Sequence, residues 1–258
     1  MEIYRIYEQA TGHAKSMRLK TLNKVSKSIC KIIKIGTKSN GTGFFIKIDI
    51  GDKILKFLVT AHHFLSKDII DEKKSIEINL ENPNISQKMK LNKINRKIIC
   101  LEEKDITAIE INEKDLINKY VEYLQYDKSF YFLGYNNYLN KDVFILHYSN
   151  GEDLECSSGR IVKVKVPKTF EFLHSLDTNR GASGSPILLF EDDNNEVKVM
   201  GIHTSGNIYE KNNIGTFIGE LAQHINFLND KNLFDLKDID FSKNIDLVMP
   251  PNSILNLE

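Results

Sequence analysis

Residues 57–64 read Phe-Leu-Val-Thr-Ala-His-His-Phe, an apolar run that ends in two adjacent histidines. The run begins at Ile54, and its length and composition predict a buried β-strand followed by a polar turn. Gly51 and Asp52 separate it from another apolar run over 41–50, which is the pattern of a tight β-hairpin. This pattern predicts a β-sheet fold, with the two histidines at the end of the second hairpin strand.

Short strand-like runs continue through most of the chain. They cover residues 30–35, 76–80, 106–111, 130–133, 143–146, 160–166, 186–190 and 197–202. Between Phe217 and Leu228, apolar residues recur at helical spacing and predict a helix. Many short strands with one late helix predict an all-β sandwich or a pair of barrels, with the boundary in the polar stretch 112–127.

Composition argues against several classes of protein. Lys and Arg total 35 and Asp and Glu total 35, so the formal charge is zero, which argues against a nucleic-acid-binding surface. The sequence has no apolar run of about 18 residues and no secretory signal pattern, which predicts that it does not enter a membrane. Three widely spaced cysteines without a C-x-x-C pair predict a reducing, cytoplasmic location and no metal cluster.

Two other segments supply the groups that a catalytic histidine needs. Residues 103–109 read Glu-Lys-Asp-Ile-Thr-Ala-Ile and place Asp105 at the start of a strand. Residues 181–186 read Gly-Ala-Ser-Gly-Ser-Pro and place Ser183 in a turn. A serine hydroxyl becomes a nucleophile when a neighbouring base takes its proton, and a carboxylate can orient a histidine for that role. Each segment alone is commonplace, so their combination and order carry the information.

In the order His, Asp, Ser, these segments resemble the trypsin/chymotrypsin superfamily of serine proteases. The family's histidine segment reads (L/V)-T-A-A-H, and its nucleophile segment reads G-D-S-G-G-P. Residues 59–63 match the first in a register that selects His63 as the base, with His62 as the alternative. Residues 105–108 resemble the family's D-(I/L)-A-L strand start. The resemblance implies a triad of His63, Asp105 and Ser183 and an oxyanion hole made by the N–H groups of Gly181 and Ser183.

The resemblance also implies an architecture and a reaction. The fold would be all-β, with two antiparallel six-stranded β-barrels, a site between them and a C-terminal helix. The reaction would be hydrolysis of a protein or peptide substrate through an acyl-enzyme, without a cofactor or metal. The implied organisation is an extension over 1–27, an N-terminal barrel over 28–120, a C-terminal barrel and helix over 121–230, and a tail over 231–258.

Two features indicate different preferences for the substrate residue before the cut. Asp177 lies six residues before Ser183, as in trypsin-like members, and would select Lys or Arg. His203 and Thr178 resemble residues of glutamyl endopeptidases that donate hydrogen bonds to a Glu or Gln side chain. A protonated His203 would repel a cation, so Glu or Gln is the favoured prediction and Lys or Arg the alternative.

Residues 201–206 read Gly-Ile-His-Thr-Ser-Gly and resemble the strand that forms one wall of the family's specificity pocket. The resemblance implies that Thr204, Ser205 and Gly206 pair with the substrate backbone as an added strand. It also implies a hydrogen bond between Thr204 and Asp105.

The sequence departs from the family at three positions. Ala182 replaces an Asp that serves zymogen activation, so that switch is predicted to be missing. Phe64 and Asn179 replace cysteines, so the disulfides at these positions are missing. We expect activity to be restrained instead by the extension, the tail, a loop or a regulatory partner protein. The alternatives to a protease are an inactive binding module and an esterase on the same scaffold.

Overall fold

The computed structural model describes residues 19–37, 39–81, 83–166, 169–191, 196–207, 212–231 and 233. The strands are β1 (Ile29–Lys34), β2 (Asn40–Ile50), β3 (Lys53–Ala61), β4 (Ser75–Leu80), β5 (Ile85–Lys90), β6 (Ile98–Leu101), β7 (Ile106–Glu110), β8 (Leu124–Tyr126), β9 (Asp142–Tyr148), β10 (Leu154–Val164), β11 (Glu171–His174), β12 (Pro186–Glu191), β13 (Glu196–Asn207) and β14 (Asn212–Phe217). The helices are α1 (Leu19–Ser26), α2 (Lys67–Asp71), α3 (Phe130–Leu133) and α4 (Gly219–Asp230). Most of the predicted extension and nearly all of the predicted tail lie outside the described residues. Within the ranges given, no helix combines the length and the apolar character needed to cross a bilayer.

Six strands of the C-terminal half close into an antiparallel β-barrel. Their order is β9-β10-β11-β14-β13-β12, and β12 pairs back onto β9 where Ile187 faces Ile145. Helix α4 follows β14, contacts β2 and buries Leu221, Ile225 and Leu228 completely. The predicted all-β, chymotrypsin-like fold with a C-terminal helix is confirmed. Closure of the barrel pairs every one of its strands on both sides, which stabilises strands that would be marginal alone.

The N-terminal half is another antiparallel sheet, with the strand order β5-β4-β1-β2-β3-β7-β6. It has seven strands instead of the predicted six, because residues 91–97 belong to no strand and separate β5 from β6. A buried ion pair stabilises the segment 91–97. The Arg96 guanidinium donates to both carboxylate oxygens of Asp115, at 3.0 and 3.1 Å, and to Glu110 O at 2.7 Å. The boundaries of the two halves near residue 120 stay a prediction.

Strand β2 is buried on both faces and contributes to two hydrophobic cores. Phe45 packs in the core of the N-terminal half, whereas Phe44 and Ile46 pack in the larger core that includes the C-terminal barrel. All three side chains are completely buried, which accounts for the unbroken apolar sequence here. Strand β8 pairs in parallel with both β2 and β13. A shared core and a shared strand therefore join the two halves.

Residues 130–133 form helix α3, so the prediction of a strand there is wrong. The carboxylate of Asp127 accepts a hydrogen bond from the Tyr138 hydroxyl at 2.6 Å, which ties together the chain on either side of the helix. Phe130 is buried in the core, whereas Phe132 is 87% exposed. An apolar run of four residues is too short to show a helical or a strand period, so local sequence could not decide between them.

Candidate active site

His63 and Asp105 form a closely paired imidazole and carboxylate just after β3. His63 Nδ1 lies 2.7 Å from Asp105 Oδ2, and the His63 backbone N–H donates to Asp105 Oδ1 at 2.7 Å. These two contacts fix both the position of the residue and the plane of its ring. Because a carboxylate only accepts, Nδ1 carries the proton and Nε2 keeps the lone pair that a general base needs. The His63 side chain is 49% exposed, so a substrate can reach it.

Asp105 is itself anchored by the backbone. It follows the 3-10 turn Glu102–Lys104 with a left-handed φ of +53°, a conformation that short polar residues adopt more readily than most. Its carbonyl accepts the His62 backbone N–H at 3.1 Å. Strand β7 then pairs with β3, with Ile106 opposite Ala61. The pairing of these two strands brings the start of β7 and the end of β3 together, and with them the side chains of Asp105 and His63.

His62, the alternative base, lies in a different environment. Its ring is buried, and its Nδ1 lies 3.0 Å from the Thr107 hydroxyl, which donates to Leu65 O at 2.9 Å. The single hydroxyl proton is committed to Leu65, so His62 Nδ1 must be the donor to Thr107. Burial lowers the pKa of His62, which keeps its ring neutral. The structure therefore brings His63, and not His62, to the carboxylate of Asp105.

Ser183 lies in a tight turn bounded by two glycines. Gly181 and Gly184 have φ values of +98° and +92°, a region that L-residues with a side chain rarely adopt. A Cβ on Gly184 would lie 3.0 Å from Ala61 N, so the turn approaches the end of β3 more closely than another residue would allow. Ala61 precedes His63 by two residues. The close approach at Gly184 therefore brings the turn that carries Ser183 towards the end of β3, which His63 follows.

The Ser183 hydroxyl donates to Thr204 O at 3.4 Å in this conformation rather than to His63. A bond of that length is weak. Rotation about the Cα–Cβ bond moves Oγ between staggered positions without moving the backbone. A hydrogen bond to His63 would need a different rotamer of Ser183, and in active sites such bonds often tighten only when substrate is bound.

The peptides that precede Gly181 and Ser183 are each anchored through their carbonyl groups. Arg180 O accepts a backbone N–H at 2.6 Å, and Ala182 O accepts from the N–H and the hydroxyl of Ser185 at 3.0 and 2.6 Å. In a planar trans peptide the N–H points opposite to the carbonyl. The N–H groups of Gly181 and Ser183 therefore point away from these anchors.

Residues 204–206 extend β13 past the end of β12, whose pairing with β13 finishes at Pro186 opposite Ile202. On their other side they pair with β14, where Ser205 faces Ile214. Ser205 and its neighbour Gly206 are exposed. This strand segment can therefore accept an extended peptide along the edge that β12 does not cover.

The structure corrects the expected contact between Thr204 and Asp105. The Thr204 hydroxyl donates to Ile214 O on β14, at 3.1 Å. The register of β13 against β14 shifts between His203 and Ser205, which is the mark of a β-bulge. A bulge redirects the side chain of the extra residue, and a hydroxyl that donates to Ile214 has no second proton for Asp105.

The candidate specificity residues lie in contrasting environments. Asp177 is exposed, and its backbone oxygen accepts the Ser157 hydroxyl at 2.8 Å. Thr178 is half-buried. His203 is almost completely buried, and its Nδ1 lies 3.2 Å from Nε2 of His174, which is also fully buried. Asp177 is therefore not a buried counter-charge, whereas His203 is a buried ring beside a second buried histidine.

Sequence reasoning missed His174, because it belongs to no motif and lies 29 residues before His203. The ladder β11-β14-β13 brings the two rings together. Burial lowers the pKa of His174 to about 4. Burial and the neighbouring His174 hold the pKa of His203 well below 6.5. Both rings are therefore neutral at pH 7. Among the described residues, no group of His, Cys, Asp or Glu side chains is arranged to hold a metal ion.

These neutral histidines should make the fold sensitive to acid. Burial lowers the pKa of His147 as well as those of His174 and His203. Below pH 6.5 the unfolded chain binds protons that the folded chain excludes, so the free energy of unfolding falls as the pH drops towards 4. His174 alone accounts for about 3 kcal/mol over that range. Urea unfolding at pH 7.5 and pH 5 measures the loss, and His174→Gln should reduce it. Equal urea midpoints at the two pH values would contradict this expectation.

Packing and hydrogen bonds are found at the two positions, Phe64 and Asn179, where the sequence comparison predicted missing disulfides. The Phe64 ring packs over Gly41, where a Cβ would lie 3.0 Å from the ring. The Asn179 side-chain amide donates to the Ser149 hydroxyl at 2.9 Å. The three cysteines are all free thiols, namely Cys30, Cys100 and Cys156. Packing and hydrogen bonds therefore hold the site in place of covalent links.

No protein-family model matches the sequence, and no curated protein matches it significantly. Solved structures do share its fold. Deg5 is 16% identical over 81% of this chain and 92% of its own, with a TM-score of 0.57. An inactive form of Rv3671c from M. tuberculosis H37Rv is 15% identical over 79% and 87%, with a TM-score of 0.51. A serine endoprotease from Yersinia pestis is 12% identical over 86% and 69%, with a TM-score of 0.56.

At these identities the likeness establishes the fold alone. The chain has the chymotrypsin-like fold of trypsin-like serine proteases, among which HtrA-type and Deg proteins are represented. The closer likeness to glutamyl endopeptidases stays a prediction.

Proposed function

We propose that this protein is a serine endopeptidase in which Ser183 is the nucleophile, His63 the base and Asp105 the residue that orients the base. The observation that carries the proposal is the double contact of Asp105 with His63, to the ring nitrogen and to the backbone N–H, both at 2.7 Å. The serine proteases that share the fold add support.

In the proposed reaction, His63 Nε2 takes the proton from Ser183 Oγ while the oxygen attacks the carbonyl carbon of the scissile peptide. The carbonyl oxygen becomes an oxyanion and accepts from the N–H groups of Gly181 and Ser183. His63 then gives its proton to the leaving amine as the C–N bond breaks, which leaves an acyl ester on Ser183. A water molecule that His63 deprotonates hydrolyses this ester and restores the serine.

A peptide substrate is favoured over a simple ester by the end of β13, where Ser205 and Gly206 are exposed. Beyond the end of β12, this segment of β13 offers backbone groups to an added strand. Such pairing positions several residues of an extended chain, so it fits cleavage within a protein or peptide. Small esters do not need it.

We infer a preference for Glu or Gln before the cut, on the basis of His203. When His174 donates to His203 Nδ1, the proton of His203 is on Nε2 and is available to a substrate oxygen. A neutral donor of this kind accommodates either a carboxylate or an amide. Lys or Arg would need a buried counter-charge, whereas Asp177 is exposed.

Mass-spectrometric mapping of cleavage sites in a proteome digest tests the function, with Ser183→Ala as the control. We expect new chain ends inside the substrate proteins, most of them after Glu or Gln. Cleavage mainly after Lys or Arg would still support a protease but would contradict the preference for Glu or Gln. If the wild type showed no more cleavage than Ser183→Ala, the proposal of a protease would be contradicted and a binding module would be favoured.

Removing the His203 ring should change selectivity more than it changes turnover of other substrates. We expect His203→Ala to lower kcat/KM for Glu and Gln peptides by about 10- to 100-fold, the effect of one lost buried hydrogen bond. Matched Leu peptides should change by no more than a few-fold. His224→Ala is the control, because His224 is a buried histidine of α4. Equal losses on Glu and Leu peptides would contradict the assigned role.

A further inference from the structure

Thr42 is a completely buried residue of β2. It contacts the nucleophile turn, residues 181–184 with the proposed nucleophile Ser183, at two points. Its hydroxyl donates to Gly181 O at 2.8 Å, and its backbone N–H donates to Ser183 O at 3.1 Å. The same hydroxyl accepts the Tyr148 N–H at 3.0 Å, and the Thr42 carbonyl accepts the Thr60 hydroxyl at 2.8 Å. One side chain and its backbone therefore join β2, β3, the end of β9 and the nucleophile turn.

These contacts restrain the backbone on both sides of Gly181. The peptide before Gly181 is held by Arg180 O, which accepts the Asn150 N–H at 2.6 Å. The peptide after it is held by the bond from the Thr42 hydroxyl to Gly181 O. Glycine can take either sign of φ, so its own conformation would not keep the φ of +98° seen here. Without the Thr42 hydroxyl the Gly181–Ala182 peptide loses its anchor, and only the Asn150 bond to Arg180 O remains to hold this stretch. A single hydrogen bond restrains the direction of the Gly181 N–H less than two anchored peptides do.

We propose that Thr42 is a positioning residue whose hydroxyl holds the Gly181 N–H in the direction that a substrate oxyanion requires. Thr42 acts through Gly181. The inference rests on the proposed function, because an oxyanion forms there only if Ser183 attacks a carbonyl. Loss of the hydroxyl leaves Gly181 O and the Tyr148 N–H without their partner in buried surroundings, which favours a rearranged turn.

The orientation of the Gly181 amide can be measured without any turnover. Arg180 and Gly181 form the only Arg–Gly pair in the sequence, so carbonyl-¹³C arginine with ¹⁵N glycine yields a single NMR correlation. We expect Thr42→Val, which keeps the side-chain shape, to shift or split this signal. Thr42→Ser, which keeps the hydroxyl, should leave it near the wild-type position. Leu228→Ala removes a fully buried side chain from α4 and should leave the signal unchanged, which controls for general destabilisation.

Peptide hydrolysis provides the functional readout. Thr42→Val should lower kcat by about 10- to 100-fold, which is part of the effect of losing an oxyanion donor, while KM stays within about two-fold. Thr42→Ser should restore kcat to within a few-fold of wild type, and Leu228→Ala should retain it.

An unchanged Gly181 signal in Thr42→Val would overturn the inference about Thr42, and so would an unchanged kcat. A wild-type protein that cleaves no peptide would count against the proposed function. The NMR signal would still report whether Thr42 holds the Gly181 amide, so the two failures are distinguishable.

Discussion

Replacing Ser183 with alanine should lower peptide turnover by about a million-fold, because no other group supplies the attacking oxygen. Labelling by a fluorophosphonate probe should disappear as well. The turn should keep its shape, since the hydroxyl makes a weak 3.4 Å contact with Thr204 O while the backbone bond from Thr42 to Ser183 O remains. A fluorogenic peptide assay and probe labelling followed by gel electrophoresis measure the two effects.

Ser175→Ala is the matched control for this experiment, because Ser175 is an exposed serine of the same barrel. It should be labelled and should turn over peptide like the wild type. If Ser183→Ala were still labelled at the wild-type level, another residue would be the nucleophile and the proposed site would be wrong.

The two adjacent histidines should respond differently to substitution. His63→Ala should lower kcat by about a million-fold, because the nucleophile then has no base. The free energy of unfolding should change little, since the His63 side chain is half exposed. His62→Gln should cost less than about ten-fold in kcat and about 1–3 kcal/mol in stability, because the buried bond to Thr107 is disturbed.

Parallel measurements of kcat and of urea midpoints on both variants separate these roles. A million-fold loss in His62→Gln, together with an active His63→Ala, would make His62 the base. In that case the contact between His63 and Asp105 would have no role in catalysis.

Local sequence was sufficient for elements whose pattern is long or whose turn is unambiguous. Gly51 and Asp52 do form the predicted hairpin turn, with Ile50 paired to Lys53. The helix predicted between 217 and 228 appears as α4, displaced by two residues. The helix at 130–133 was missed because four apolar residues carry no readable period. The segment 91–97 between β5 and β6 could not be predicted, because its ion pair joins Arg96 to Asp115, 19 residues further along.

The residues of the candidate site also fall into two groups, those that short sequence segments identified and those that only the tertiary structure identified. Glycine-flanked Ser183, a strand-end histidine and Asp105 were recognisable from short segments and their order. The choice between His62 and His63 needed the fold, because it depends on Thr107, 45 residues from His62. His174 and Thr42 carried no motif. Their contacts with His203 and Gly181 span 29 and 139 residues, and only the tertiary structure creates them.

From its order of residues, this chain specifies an all-β protein and the chemical groups of a serine hydrolase, because strand patterns and turn glycines are local properties of a backbone. Which imidazole meets the carboxylate, how Thr204 is turned and what holds the Gly181 amide depend on distances between remote segments. Such distances are set when the two halves of the chain pack around a common core. Within a strand, a shift of one residue in register would turn its side chains to the opposite face.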